Sequence, residues 1–170
     1  MRSCNSRPSA LAYGILLGCV LMAAATVPAR AQAASYVGVD KCKLCHLEQY
    51  NVWKGTKHSH ALEALGDSKS KPECLPCHTT AVNGSKDPSA TDLSNVQCEA
   101  CHGPGSRYKN PVLMSKGKFA ANREQARQAV LAAGLVLPDE KVCLGCHNSK
   151  SPTFKGFDYA SAREKIKHWK

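Results

Sequence analysis

The chain has 170 residues, with 23 Lys and Arg against 13 Asp and Glu and a formal net charge of +10, a length that suits one small domain and excludes a multidomain enzyme. Aromatic residues make up only 6%, too few to fill an ordinary core, which predicts that something other than side chains fills it. The basic residues are scattered and match no nucleic-acid-binding motif, so the charge does not indicate a nucleic-acid partner.

Residues 1–33 have the pattern of a secretory signal peptide. Arg2 and Arg7 precede an uncharged apolar stretch, Ala10–Val27, and small residues follow at positions 29, 31 and 33. We therefore expect export to the periplasm or the extracellular space, with residues 34–170 forming the mature domain. Two alternatives stay open, a retained membrane anchor and a lipid anchor at Cys19, and membrane association is expected only through such a retained segment.

The remaining cysteines all fall in four CxxC pairs, and a histidine follows each pair at once. The pairs are Cys42 and Cys45, Cys74 and Cys77, Cys98 and Cys101, and Cys143 and Cys146; the histidines are His46, His78, His102 and His147. CxxCH is the attachment motif of c-type haem, since two thiols one helical turn apart can bond the haem vinyl groups and the next imidazole can ligate the iron. The sequence therefore predicts four covalently attached haems.

Other uses of paired cysteines explain less of the pattern. Two zinc sites built from CxxC pairs would not need a histidine after every pair, and neither would a disulfide framework. A thioredoxin-like redox motif would need a βαβ context, which the sequence lacks.

Three segments have helical patterns, and no convincing strand pattern occurs. The first runs from Cys42 to about Leu65; the second, Asn122–Ala133, begins with a capping pair and stops at a glycine; the third, Asp158–Trp169, begins at a capping aspartate. Residues 83–95 and 103–111 have loop composition. We expect a mainly α fold with extensive loops, a small multihaem cytochrome c fold wrapped around its cofactors.

Four irons with two axial ligands each need four ligands beyond the motif histidines, but only His58, His60 and His168 remain. His58 and His60 lie two residues apart, so on a helix they cannot both face the same haem. Met114, the only methionine after the signal, can offer a thioether or simply pack in the core. One iron therefore stays open, takes another ligand, or receives one from a second molecule.

Two stretches together resemble the cytochrome c-554 family of tetrahaem electron carriers, from about Tyr36 to Trp169. The first stretch holds Cys42, Cys45, His46, Trp53, Thr56, His58 and Leu62, and the second is Cys98–Gly105, ending in CHGPG. The resemblance implies that His58 ligates the third haem, carried by His102, and that His168 ligates the fourth, carried by His147. It also implies closely packed haems, with the second haem, carried by His78, lacking a sixth ligand.

The chain departs from that family at one ligand. Family members commonly place a histidine shortly after CHGPG to ligate the first haem, whereas this chain has Arg107, Tyr108 and Lys109 there. The first haem must then use His60, Met114 or a histidine from another molecule, or stand open. Donation of His60 to a neighbouring chain would produce a homo-oligomer or a haem filament.

These features favour electron transfer between redox partner proteins, for which no catalytic residue is required. Two alternatives remain: a haem enzyme acting on a nitrogen oxide, hydroxylamine or peroxide at an open iron, and a conducting filament subunit. The lysine-ligated CxxCK site of multihaem nitrite reductases does not occur in the sequence.

Overall fold

The computed structural model describes residues 33–81 and 92–168. These residues form short helices and no strand, apart from isolated bridges that join Thr79 to Ser94 and Asn95. The α-helices are α1 (Val39–Lys43), α2 (Leu47–Lys54), α3 (Leu75–His78), α4 (Cys98–His102), α5 (Lys116–Ala121), α6 (Arg123–Ala132), α7 (Glu140–Leu144) and α8 (Tyr159–Lys165), with 3₁₀ helices at Lys57–His60 and Glu63–Ser70. The mainly α fold is therefore confirmed, while the signal segment, except Ala33, and most of the 83–95 loop lie outside the described residues.

The first predicted helix is wrong as a continuous element. The backbone leaves the helical region at His46 (φ −118°, ψ 49°) and is extended at Thr56 (φ −94°, ψ 162°). Gly66, at φ 53°, interrupts the 3₁₀ segment. The apolar spacing across this region comes from separate helical turns, which spacing alone cannot distinguish from one long helix.

The second and third predicted helices are present, each with the predicted cap. Asn122 accepts a hydrogen bond from the Gln125 amide at 3.0 Å, and Asp158 accepts one from the Ser161 amide at 2.7 Å. The last helix ends at Lys165, earlier than predicted, so His168 lies on the segment that follows it.

Few apolar side chains are buried. Among the described residues the buried apolar set is Ala61, Tyr108, Ala126 and Val130, and the buried polar set is Ser59, Thr80, Gln97 and Glu99. Several large apolar side chains are exposed instead, and Leu44 within the first motif is 75% exposed. No helix of the described segments is long and apolar enough to cross a membrane.

Candidate haem-binding site

Each CxxCH motif forms one helical turn. In the first motif the His46 amide donates to the Cys42 carbonyl at 3.0 Å, and in the fourth the His147 amide donates to the Cys143 carbonyl at 2.9 Å. The third motif coincides with α4. A single turn presents both thiols and the histidine of a motif to one side, as attachment of a haem requires.

The four motifs meet in two pairs. The thiols of Cys42 and Cys98 lie close enough to shift each other's pKa, which brings the first motif next to the third, and α1 packs on α4. The thiols of Cys77 and Cys146 join the second motif to the fourth in the same way, and Cys146 Sγ lies 4.0 Å from the Pro76 carbonyl. Neighbouring attachment sites therefore come from motifs that are far apart in the sequence.

A buried carboxylate ties the N-terminal segment to the third motif. Glu99, 1% exposed, accepts hydrogen bonds from the amides of Val37 at 3.0 Å, Gly38 at 2.7 Å and Gly105 at 2.6 Å. Its neighbour Gln97, also buried, accepts from the Val39 amide at 2.8 Å. Sequence reasoning missed this role, although Glu99 lies inside the Cys98–Gly105 stretch and Gln97 directly precedes it.

The CHGPG loop follows the third motif and has clear steric requirements. Gly103 has φ 75°, a conformation that favours glycine. A Cβ at Gly105 would lie 2.9 Å from Glu99 Oε1. Tyr108 is buried and donates its hydroxyl proton to the Gly103 carbonyl at 2.7 Å, so it closes the loop.

Three histidines are oriented by backbone carbonyls. Nδ1 lies 2.5 Å from the Ala61 carbonyl in His78, 3.0 Å from the Val136 carbonyl in His102, and 2.9 Å from the Ile166 carbonyl in His168. A carbonyl can only accept, so Nδ1 must carry the proton and Nε2 is left as the ligating atom.

Two pairs of imidazole rings face each other at a separation that suits a metal between them. The ring centroids of His58 and His147 are 6.0 Å apart, and those of His102 and His168 are also 6.0 Å apart. Metal–nitrogen bonds of about 2 Å on both sides of an iron place the centroids of two axial imidazoles about 6 Å apart. These two pairs therefore fit axial ligation of haem.

The pairing differs from the one that the family resemblance implied. His58 faces His147 of the fourth motif, not His102, and His168 faces His102 of the third motif, not His147. Which haem each of these two histidines ligates stays a prediction. Hydrogen bonds hold the backbone of His58 in this position. The Val96 amide donates to its carbonyl at 3.0 Å, and the Trp53 indole donates to the Val96 carbonyl at 2.8 Å.

The other candidate ligands have different surroundings. His60 is exposed, beside a surface hollow of about 260 Å³ whose lining includes Gly55, Lys57 and Ala64. Met114 is half-buried on the loop before α5. Among the described residues neither His46 nor His78 faces a second histidine ring, and no three His, Cys, Asp or Glu side chains gather around a metal-ion site.

Burial sets the protonation of the facing histidines. Desolvation lowers the pKa of His58, and the nearby His147 lowers it further. Desolvation also lowers the pKa of His102, although its hydrogen bond to Val136 opposes the shift. A lowered pKa favours the neutral imidazole, which is the form that binds a metal.

Phe157 stacks on the ring of His147, with centroids 4.7 Å apart and planes inclined by 19°. This contact restricts rotation of the imidazole. No sequence signal marked Phe157, because an isolated aromatic residue in a loop carries no periodicity.

Comparisons with known proteins find similarity in sequence and in fold. The family model for cytochrome c554 and c-prime matches residues 41–103. Cytochrome c-554 of Nitrosomonas europaea is 28% identical over 84% of this chain and 72% of that protein. The structure of reduced cytochrome c554 from the same organism superposes with a TM-score of 0.55 at 23% identity, covering 80% of this chain and 79% of that one, and thus shares the fold. The chain is therefore similar to the cytochrome c554 family in sequence and in fold, and this similarity supports electron transfer by covalently bound haem.

Proposed function

We propose that this chain is an exported electron carrier of the periplasm or cell surface that holds four haems and passes electrons between redox partner proteins. The observation that carries the proposal is the convergence of the four motifs. Cys42 contacts Cys98 and Cys77 contacts Cys146, so attached groups would lie close together, and electron transfer needs such proximity. The haems supply one-electron chemistry when bound.

The residues of the chain hold and orient these groups. Eight thiols would anchor them, and His46, His78, His102 and His147 would each offer a ring nitrogen to an iron. His58 lies near His147 and His168 lies near His102, so each would offer a second nitrogen there. Imidazole on both sides of the iron favours a low reduction potential and excludes other ligands.

The number of haems can be counted directly. The mature protein, purified from a host that attaches c-type haem, should carry the mass of four haems under denaturing conditions and give a matching pyridine haemochrome. As a control, a variant with Cys42 and Cys45 replaced by alanine should lose one haem from both measurements. Three or fewer haems in the unaltered protein would contradict the proposal.

Binding of a small ligand at an open iron is the second candidate function. It is favoured by His46 and His78, which face no second histidine ring among the described residues. Electron paramagnetic resonance of the oxidised protein should then show high-spin iron that changes when nitric oxide or nitrite is added. Low-spin signals that are unaffected by both ligands would leave electron transfer as the only supported role.

A further inference from the structure

Glu99 combines complete burial with hydrogen bonding that suits only an ionised carboxylate. Oε1 accepts from the Val37 and Gly105 amides, and Oε2 accepts from the Val37 and Gly38 amides. A protonated carboxyl would turn one oxygen into a donor facing backbone N–H groups, whereas a carboxylate accepts on both. The site therefore holds a negative charge in the protein interior.

Among the described residues, Glu99 takes part in no ion pair; the pairs Lys43–Asp40 and Lys167–Glu164 do not involve it. Backbone dipoles solvate the carboxylate without cancelling its charge. Because interior sites are poorly screened by solvent and salt, the charge acts on its surroundings at nearly full strength.

The surroundings of Glu99 are the first and third motifs. Glu99 directly follows Cys98, whose thiol contacts Cys42. Burial raises the pKa of Tyr108, and the Glu99 charge raises it further. The pKa of the Cys42 thiol is raised by its hydrogen bond to Cys98 and by burial, and the Glu99 charge adds to the shift more than Lys109 opposes it. The field of Glu99 thus reaches attachment residues of both motifs.

We propose that Glu99 is a positioning and potential-setting residue, whose buried charge keeps the reduction potentials of the haems at the first and third motifs below the values they would otherwise have. The inference rests on the proposed function. Reduction of a haem adds one electron, and a fixed negative charge nearby disfavours that step.

The test is a spectroelectrochemical titration of the holoprotein carrying Glu99→Gln. Glutamine keeps the shape of the side chain and removes the charge, so two of the midpoint potentials should rise, each by a change on the order of tenfold in the reduction equilibrium. Glu73→Gln is the matched control, because Glu73 directly precedes Cys74 of the second motif but is exposed. Water and salt screen Glu73, so its removal should change the potentials far less.

Two further measurements test the effect of the Glu99 charge on the potentials without the Glu99→Gln protein, in case that variant folds poorly. In the unaltered protein, raising the ionic strength should leave the lowered potentials of the haems at the first and third motifs in place, since a buried charge is not screened. Glu99→Asp keeps the charge and shortens the side chain, so its midpoint potentials should stay close to those of the unaltered protein, and a rise in the potentials at the first and third motifs would contradict the inference. A Glu99→Gln protein with all haems attached and unchanged potentials would overturn the inference and leave the four-haem proposal intact.

Discussion

At the residue scale, ligand identity depends on which histidines face each other, and that depends on contacts remote in the sequence. His58 faces a residue 89 positions later, His147. The sequence predicts the four motif histidines from spacing alone, because a CxxCH turn is local. It does not predict their partners, since these depend on packing between Trp53, Val96 and the segment that carries His58.

The pairing of His58 with His147 can be tested by substitution. His58→Ala should convert one haem from low spin to high spin, seen in the optical and electron paramagnetic resonance spectra, because the iron loses one imidazole. Lys57→Ala, an exposed change in the same 3₁₀ helix, is the control and should leave the spectra unchanged.

Combining His58→Ala with the loss of one attachment motif identifies which haem His58 ligates. When Cys143 and Cys146 are also replaced by alanine, the fourth haem is absent and His58→Ala should add no high-spin signal. When Cys98 and Cys101 are replaced instead, His58→Ala should still add it. The reverse pattern would restore the pairing of His58 with His102.

At the element scale, the described helices are short. Caps, turns and glycine positions set their bounds more than hydrophobic faces do. The sequence predicted α6 and the start of α8 because Asn122 and Asp158 are local capping signals. It merged α1, α2 and the following 3₁₀ turns because nothing local marks the extended backbone at Thr56. Local chemistry predicts where helices begin, while their ends here depend on contacts across the molecule.

The CHGPG loop gives the sharpest prediction for stability. Gly105→Ala should lower the free energy of unfolding by about 1–3 kcal/mol, because the new Cβ would lie 2.9 Å from Glu99 Oε1 and 3.2 Å from Val37 Cγ2. Urea unfolding of the holoprotein, followed by far-UV circular dichroism, measures the change.

Gly117→Ala provides the matched control. Gly117 lies in α5, where a Cβ would meet only Ser115 Oγ at 3.6 Å, so alanine should be neutral or stabilise by up to about 1 kcal/mol. Equal stability of the Gly105→Ala protein and the unaltered protein would show that the loop has more room than its geometry indicates.

At the scale of the whole molecule, the described part of the chain lacks the apolar core of a domain of its length. Ala61, Tyr108, Ala126 and Val130 are its buried apolar residues, far too few to offset the conformational entropy of folding. The low aromatic content already indicated this deficit, and the attached haems supply the missing apolar surface.

Removal of the haems should therefore abolish folding. A variant with all eight motif cysteines replaced by alanine should lose most of its helical circular dichroism signal and elute from a sizing column as an expanded chain. The single-motif variant lacking Cys143 and Cys146 is the control and should stay largely folded. A cooperative thermal transition in the variant without haems would show that the polypeptide folds unaided.

The hydrogen bonds that Glu99 and Gln97 accept also affect when the chain can complete its fold. They join residues 37–39 to residues 97–105, and the first two motifs lie entirely between these two segments. In the export proposed above, the chain would emerge N-terminus first and could not close this long loop until residue 105 had arrived, and such distant contacts form slowly. Cys42, Cys45, Cys74 and Cys77 would therefore stay accessible during that interval, which would leave time for haem attachment at both motifs before the fold closes over them.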